Sequence, residues 1–383
     1  MRALRTVVLA GVAVATLAVS TGVALADPSS TPPVTAIVAT GSDTIQFLAD
    51  QWSTDYNATS PTNPFYSWDA VNPTTGATGD TIETKNDSNC SIARPNGSGA
   101  GIAQLEAKLQ NTAKTEYCVD LARASRNIKS SDGTGITSVV FAKDLITYSI
   151  YNGGNGVTNL TDTDLTAIYS CNASLISSSY TDAPVTWNEV GGTSTAAVIP
   201  VLPQASSGTR QQWLTDIGSP TLGTCVVNGA NSSGGVIEEN EGTNAEFTST
   251  GNPTGYKNVL FPFSGGSYVC QADTGKCPNA TGSLKLEDID SKAPLTSANV
   301  INVSGLTAFP STYIRSLFLV SLNAGTAASP SIPTSPINLR ALLGNGDKSG
   351  WICGKNGTST TAATDITNYG FVVASNCGTL TGQ

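Results

Sequence analysis

Arg94-Pro95-Asn96-Gly97-Ser98-Gly99-Ala100-Gly101-Ile102-Ala103-Gln104-Leu105-Glu106-Ala107-Lys108-Leu109 is a loop of small residues that runs directly into a helical pattern. Ile102, Leu105 and Leu109 recur at i, i+3 and i+7 and give that helix one apolar face. Gly97, Gly99 and Gly101 free the backbone ahead of it, and Ser98 adds a hydroxyl at its first turn. The first turn of a helix leaves N–H donors unpaired at the positive end of its dipole, so a tetrahedral anion can sit there without a cationic side chain. Two further stretches repeat the design. Gly41-Ser42-Asp43-Thr44 precedes a helix with Ile45, Leu48, Ala49, Trp52 and Tyr56 on one face. Ser206-Ser207-Gly208-Thr209 precedes Arg210 to Ile217, where Trp213, Leu214 and Ile217 share a face. Each loop alone reads equally as an ordinary helix cap; three together point to a shared oxyanion site.

Strand, loop and helix alternate around these motifs. Val34 to Thr40, Cys118 to Ala122, Val139 to Ala142, Leu145 to Tyr151, Val198 to Leu202 and Tyr313 to Leu322 carry the apolar, β-branched residues of strands. Arg123 to Asn127 reads as a polar turn, and Thr161 to Tyr169 as a short helix opened by a capping box. Pro336 to Leu343 has the pattern of another short helix, and 218–294 is rich in Gly, Ser, Asn and Thr. The expected class is α/β: a largely parallel sheet with helices on both faces and the binding crevice at the carboxyl ends of its strands.

The chain has 383 residues, enough for two domain-sized cores. Residues 1–26 read as a secretory signal: Arg2 and Arg5, an apolar run from Val7 to Val19, and small residues at Ala24-Leu25-Ala26. No cysteine lies near the cut, so no lipid anchor is expected and the mature chain is expected outside the cell, without a transmembrane helix. Asp27 to Pro33 reads as a linker. Without Arg2 and Arg5, 17 basic residues face 28 acidic ones, a net charge of −11. So acidic a chain, with 12% charged residues, is a poor partner for nucleic acid. An anion site here must work through local, directed hydrogen bonds rather than long-range attraction.

The eight cysteines are even in number in a chain read as exported, which implies disulfides. Pairing in sequence order joins Cys90 to Cys118, Cys171 to Cys225, Cys270 to Cys277 and Cys353 to Cys377, one of about 105 connectivities. No histidine and no Cys-x-x-Cys occur, which argues against zinc. No cofactor is expected.

Gly41-Ser42-Asp43-Thr44-Ile45-Gln46, Ser67-Trp68-Asp69-Ala70-Val71-Asn72-Pro73, Gly97-Ser98-Gly99-Ala100-Gly101, Ala124-Ser125-Arg126, Leu160 to Tyr169, Thr186-Trp187-Asn188 and Ser206-Ser207-Gly208-Thr209-Arg210 follow one another in this order. In that succession the chain resembles the phosphate-binding proteins of ABC transporters, in particular their secreted actinobacterial members. The resemblance implies a two-lobe periplasmic-binding-protein-like fold of type 2, hinged, closing on phosphate in a central cleft. The lobes would comprise 34–148 plus 308–383, and 149–307. It also implies a monomer that hands phosphate to an ABC permease. Carried over by motif, the contacts come from Ser42, Thr44, Ser98, Ser125, Ser207, Gly208 and Thr209.

Two departures bear on specificity. The family has an aspartate after the serine at 125, where this chain has Arg126, and an arginine shortly before its Ser-Gly-Thr, where this chain has Pro203. A carboxylate acceptor rewards protonated phosphate over sulfate. Asp43 is a candidate for that acceptor, and Arg126 or Arg210 for a bidentate grip on the oxygens; equally, Asp43 caps its helix and the arginines form surface pairs. Two other classes stay open. A serine hydrolase built on Ser207 or Ser98 lacks a histidine base and a Gly-x-Ser-x-Gly elbow, and a phosphatase lacks a metal cluster to drive it. A secreted surface interaction protein would keep the fold without the ligand.

Overall fold

The computed structural model describes residues 27–181, 183–354 and 360–383; the signal segment 1–26 lies outside them. Eight strands form a continuous sheet in the order Phe65–Ser67, Ile37–Gly41, Leu121–Ala124, Ile314–Leu322, Ile136–Tyr151, Val259–Ser264, Ile199–Leu202 and Val227–Asn228, with three short strands added along Ile136–Tyr151. The outer strands at each end pair in parallel. Ile314–Leu322 runs antiparallel to both its neighbours.

The sheet is organised by its longest strand. Val139 to Ala142 and Leu145 to Tyr151 were expected as two strands, but they are one strand of 16 residues, Ile136–Tyr151. The polar pair Lys143-Asp144 does not break it because each finds a partner across the ladder. Lys143 Nζ donates to Ser316 Oγ, and Asp144 lies opposite Arg315 and forms an ion pair with it. The first part of the strand pairs with Ile314–Leu322 as far as Leu145, and from Ile146 onward its partner is Val259–Ser264. One strand therefore crosses from one half of the molecule to the other, and Asp144 sits at the crossing.

Each half packs its own core. On one side Ile37, Leu48, Trp52, Phe141 and Leu319 cluster, with Trp52 edge-on to Phe141 at 5.0 Å between ring centres. On the other, Leu145, Tyr148, Leu165, Trp187, Leu202 and Trp213 do so. Fully burying side chains of this size contributes about 1.5–3 kcal/mol each, and the alternate residues of the sheet's strands, among them Val140 and Val320 in one half and Phe261 and Phe263 in the other, pack further clusters. The eight cysteines pair in sequence order, at sequence separations of 28, 54, 7 and 24.

The helix after the opening motif spans Ser98–Glu106 and stops short of Leu109, because Lys108 takes a left-handed conformation at φ 50°. Leu109 instead packs against the small cluster of Ile82, Ile92 and Val119. The pattern of Cys118 to Ala122 predicts a strand ending before a polar turn; the strand is Leu121–Ala124 and takes in Arg123. Asp27, read as linker, is held by Arg94 through two hydrogen bonds of 2.8 Å. The capping box is present as expected: Thr161 and Asp164 cap the helix Asp162–Ser170 reciprocally.

Candidate functional site

Four loops meet where the strands Ile37–Gly41, Leu121–Ala124 and Ile199–Leu202 end. The first supplies Ser42, Asp43 and Thr44; the second, Ser125; the third, Ser207 to Thr209. Ser98 arrives differently, from the short ribbon Thr81–Glu83 with Ser91–Ala93 outside the main sheet. Its loop is drawn in by a parallel bridge between Gly41 and Asn96 and by Gly99 N–H donating to Ser206 O at 3.0 Å. Closeness of the loops depends on Gly208, since a Cβ there would run into the hydroxyls of Ser98 and Ser125.

Beneath the first loop lies Arg123, fully buried. Its guanidinium donates to Ser42 O at 3.0 Å, Ser67 Oγ at 2.8 Å and Trp68 O at 2.7 Å. These bonds fix the carbonyls that the turn leaves free and so fix the direction of the Ser42 and Thr44 hydroxyls.

Those hydroxyls converge on a carboxylate that sequence reasoning missed. Ser42 Oγ donates to Glu239 Oε1 at 2.8 Å, and Thr44 Oγ1 lies 3.3 Å from the same atom. Ser207 Oγ donates to Glu239 Oε2, and the Thr209 backbone N–H donates to that oxygen at 3.0 Å. Behind this ring, Ser125 Oγ is 3.1 Å from Ser42 Oγ, and Ser98 Oγ accepts from Ser125 N–H at 3.0 Å. Arg315 Nη1 donates to Thr209 Oγ1 at 3.0 Å and to Ser125 O at 3.1 Å, while its Nε and Nη2 hold Asp144. Asp144 is completed by Ser264 Oγ and Gly266 N–H.

Burial alone would raise the Glu239 carboxyl, but hydrogen bonds from Asp43, Ser207 and the Thr209 N–H, with the Arg315 charge, outweigh it. They hold the carboxyl at about 2, against an ordinary 4.5. Asp43 is driven the other way. Burial first, then the neighbouring Glu239 and Glu238 charges, push its carboxyl well above the usual carboxylate range. The two acids are therefore set apart, Asp43 being the one whose charged form is disfavoured and Glu239 the one whose charged form the site holds. Asn240 Nδ2 donates to Asp43 Oδ1 at 3.2 Å and Thr44 Oγ1 at 3.0 Å. What is built here is a set of convergent donors for a negatively charged group, with the chain's own carboxylate as the group they hold.

Of the residues singled out in the sequence, Ser42, Asp43, Thr44, Ser98, Ser125, Ser207, Gly208 and Thr209 come together. Asp43 makes no cap to its helix. Ser207 does cap, accepting from Arg210 N–H at 3.0 Å, so its hydroxyl serves the helix and the ring at once. Arg126 and Arg210 point elsewhere. Arg126 is locked onto Asp132 by bonds of 2.7 and 2.8 Å, a buried pair on its own turn rather than a surface one. Arg210 Nη1 donates to Pro203 O at 2.9 Å, tying down the start of the loop that carries it. The arginine at the ring is Arg315. One more serine–glycine stretch after an apolar run, Ser264-Gly265-Gly266-Ser267, supplies the Ser264 and Gly266 donors to Asp144, and its signature in the sequence is the same.

Residues 26–260 match the family described as PBP superfamily domain, which is more than half of the chain. The chain belongs to the PBP superfamily. Among solved structures, this PBP-superfamily chain is similar to an ABC-type phosphate transport receptor from Vibrio cholerae, with 17% identity, a TM-score of 0.51, and coverage of 88% of this chain and 100% of that one. It is also similar to a putative phosphate ABC transporter substrate-binding protein with bound phosphate from Clostridium perfringens, with 14% identity, a TM-score of 0.50, and coverage of 88% and 99%. At these identities the likeness is one of fold, and it agrees with the two-lobe, type 2 α/β class expected above. No curated protein matches the chain.

Proposed function

We propose that this chain is an extracellular oxyanion-binding protein that takes inorganic phosphate between two lobes and passes it to an ABC permease for uptake. The observation that carries the reading is the ring of Ser42, Thr44, Ser207 and Thr209 donors closed on one buried carboxylate. A carboxylate and a phosphate ask for the same donors, so phosphate takes the place of Glu239 when it binds. Ser98 and Ser125 back the ring, Gly208 opens room for it, and Arg315 supplies the positive charge that Arg126 and Arg210 do not. The phosphate-bound Clostridium perfringens protein of similar fold supports the choice of ligand.

Asp43 is the acceptor for the ligand's remaining proton. While Asp43 is itself protonated, phosphate and sulfate can both accept from it. Once it is ionised, only an anion that carries a proton can meet it without repulsion, so discrimination against sulfate rises with pH. Binding rather than hydrolysis is supported by the partner of Ser207: a carboxyl held at about 2 is too weak a base to activate a hydroxyl at neutral pH. The division into lobes 34–148 plus 308–383 and 149–307, and export by residues 1–26, belong to the same reading. Among the described residues no helix is long and apolar enough to cross a membrane.

One observation favours a second reading. Glu239 fills the ring, so a surface interaction protein could have replaced the ligand permanently by its own side chain. Calorimetric titration of phosphate and then sulfate into the mature protein at neutral and at alkaline pH separates the two. The transport reading expects heat from phosphate, with a phosphate preference that grows with pH; no heat from either anion overturns it in favour of the second.

A further inference from the structure

Beside the ring, and opening from it, lies a cavity of about 990 Å³ bounded by Asp43, Thr44 and Glu239 on one side. A phosphate needs only a small part of that space, and cavities of this size hold whole small organic molecules. Its wall has two characters. Phe47, Tyr369 and Phe371 present aromatic rings, and Glu238 and Glu241 add carboxyls to those of the ring. Among the described residues that line it none is lysine or arginine. Beyond the donors of the ring itself, such a wall offers an anion no compensating charge.

One further polar atom, just behind the surface of the wall, is left without a partner. Gln271 is 8% exposed and donates its amide N–H to Asn240 O at 2.9 Å, but its carbonyl Oε1 has no hydrogen-bond partner among the described residues. A buried acceptor in this state calls for a donor. A metal ion is a poor candidate to supply the positive charge, since among the described residues no three acidic, His or Cys groups are close enough to chelate one. A protonated amine suits all three features: it donates to a carbonyl, offsets carboxylates spread around a wall, and rests on aromatic faces.

We propose that the preferred ligand is a phosphomonoester carrying a protonated amine, its phosphate in the Ser/Thr ring and its ammonium group in the acidic, aromatic cavity. This rests on the oxyanion reading of the ring and deepens it. The amine lets an acidic chain accept an anion, because the ligand brings its own counter-charge into the site.

The test is calorimetry on the mature protein with three probes: inorganic phosphate, phosphoethanolamine and glycerol 3-phosphate, the last a small phosphomonoester that carries hydroxyls and no amine. Phosphoethanolamine is expected to bind at least tenfold more tightly than glycerol 3-phosphate. That ratio is expected to shrink several-fold in Glu241→Gln, whose fold is checked by its melting temperature. Equal affinity for the two esters, or rejection of both while inorganic phosphate binds, overturns this inference and leaves the ring as an oxyanion site. No binding of any probe overturns both. A ratio unmoved by Glu241→Gln and by Phe47→Ala alike removes the cavity from the account.

Discussion

Replacing Glu239 by alanine removes the group that now fills the ring, and the structure sets the size of the effect. Hydrogen bonds to a charged group contribute about 1.5–3 kcal/mol each net of solvent, so the donors that close on Glu239 favour its seat in the ring over a swung-out position by about 3 kcal/mol, the size of one or two such bonds. Phosphate has to give up the same amount to enter the wild-type protein. Glu239→Ala should therefore bind phosphate more tightly by up to about 3 kcal/mol, on the order of a hundredfold. In the absence of phosphate the variant should be less stable by a similar amount, since four donors lose their acceptor, and phosphate should restore its stability. Calorimetry at pH 7.5 with and without the substitution, paired with thermal unfolding across phosphate concentrations, reads both effects. If Glu239→Ala binds phosphate more weakly than wild type, the carboxylate is part of the ligand's site rather than its stand-in, and the reasoning fails.

Other outcomes follow from the same contacts. Ser207→Ala should weaken phosphate by roughly 1–3 kcal/mol, as expected when a buried donor to a charged oxygen is lost, whereas Arg126→Gln and Arg210→Gln should leave the affinity within about twofold; calorimetry on the three variants orders them. Gly208→Ala should lower stability by about 1–3 kcal/mol and abolish binding, because its methyl group would separate the Ser98 and Ser125 hydroxyls from the third loop; denaturant unfolding and titration check the two parts. Stability should also depend on pH in two opposed ways. Burial foremost pushes Glu238, Asp216 and Asp365 up to about 7 and Asp69 to about 6. With folded values above unfolded ones, their contribution is full in acid and lost as the pH rises through 6 to 7. Glu239, held at about 2, contributes above its ordinary 4.5 and is lost as the pH falls towards 2. The melting temperature should thus be highest at about pH 5 and lower at pH 8; a steady rise between those values would contradict the assignment.

Features written locally were legible in the sequence. The Thr161–Asp164 capping box closes within four positions, and the apolar face of Gln46–Ala58 and the three serine–glycine loops are written as runs of neighbouring residues, although the partners they meet lie far along the chain. The centre of the site was not, because its members are held by partners far along the chain. Glu239 is separated from Ser42 by 197 positions and Arg315 from Asp144 by 171, and no spacing rule joins them. A weaker signal existed for the latter pair. Asp144 lies inside an apolar, β-branched run and Arg315 opens another, and opposite charges in otherwise buried strands ask for each other. Asp144 was instead read as part of a break between strands, which divided the longest strand and hid the crossing. Arg126 and Arg210 misled for the converse reason: adjacency to a motif does not direct a long side chain, and each found a nearer acceptor in Asp132 and in the Pro203 carbonyl.

The most direct test of the ring is a crystal structure of the mature protein grown with millimolar phosphate. The account predicts tetrahedral density between Ser42, Ser207 and the Thr209 N–H, with the Glu239 side chain swung out towards the cavity. Glu239 still seated on those donors, with phosphate absent or bound elsewhere, would contradict it.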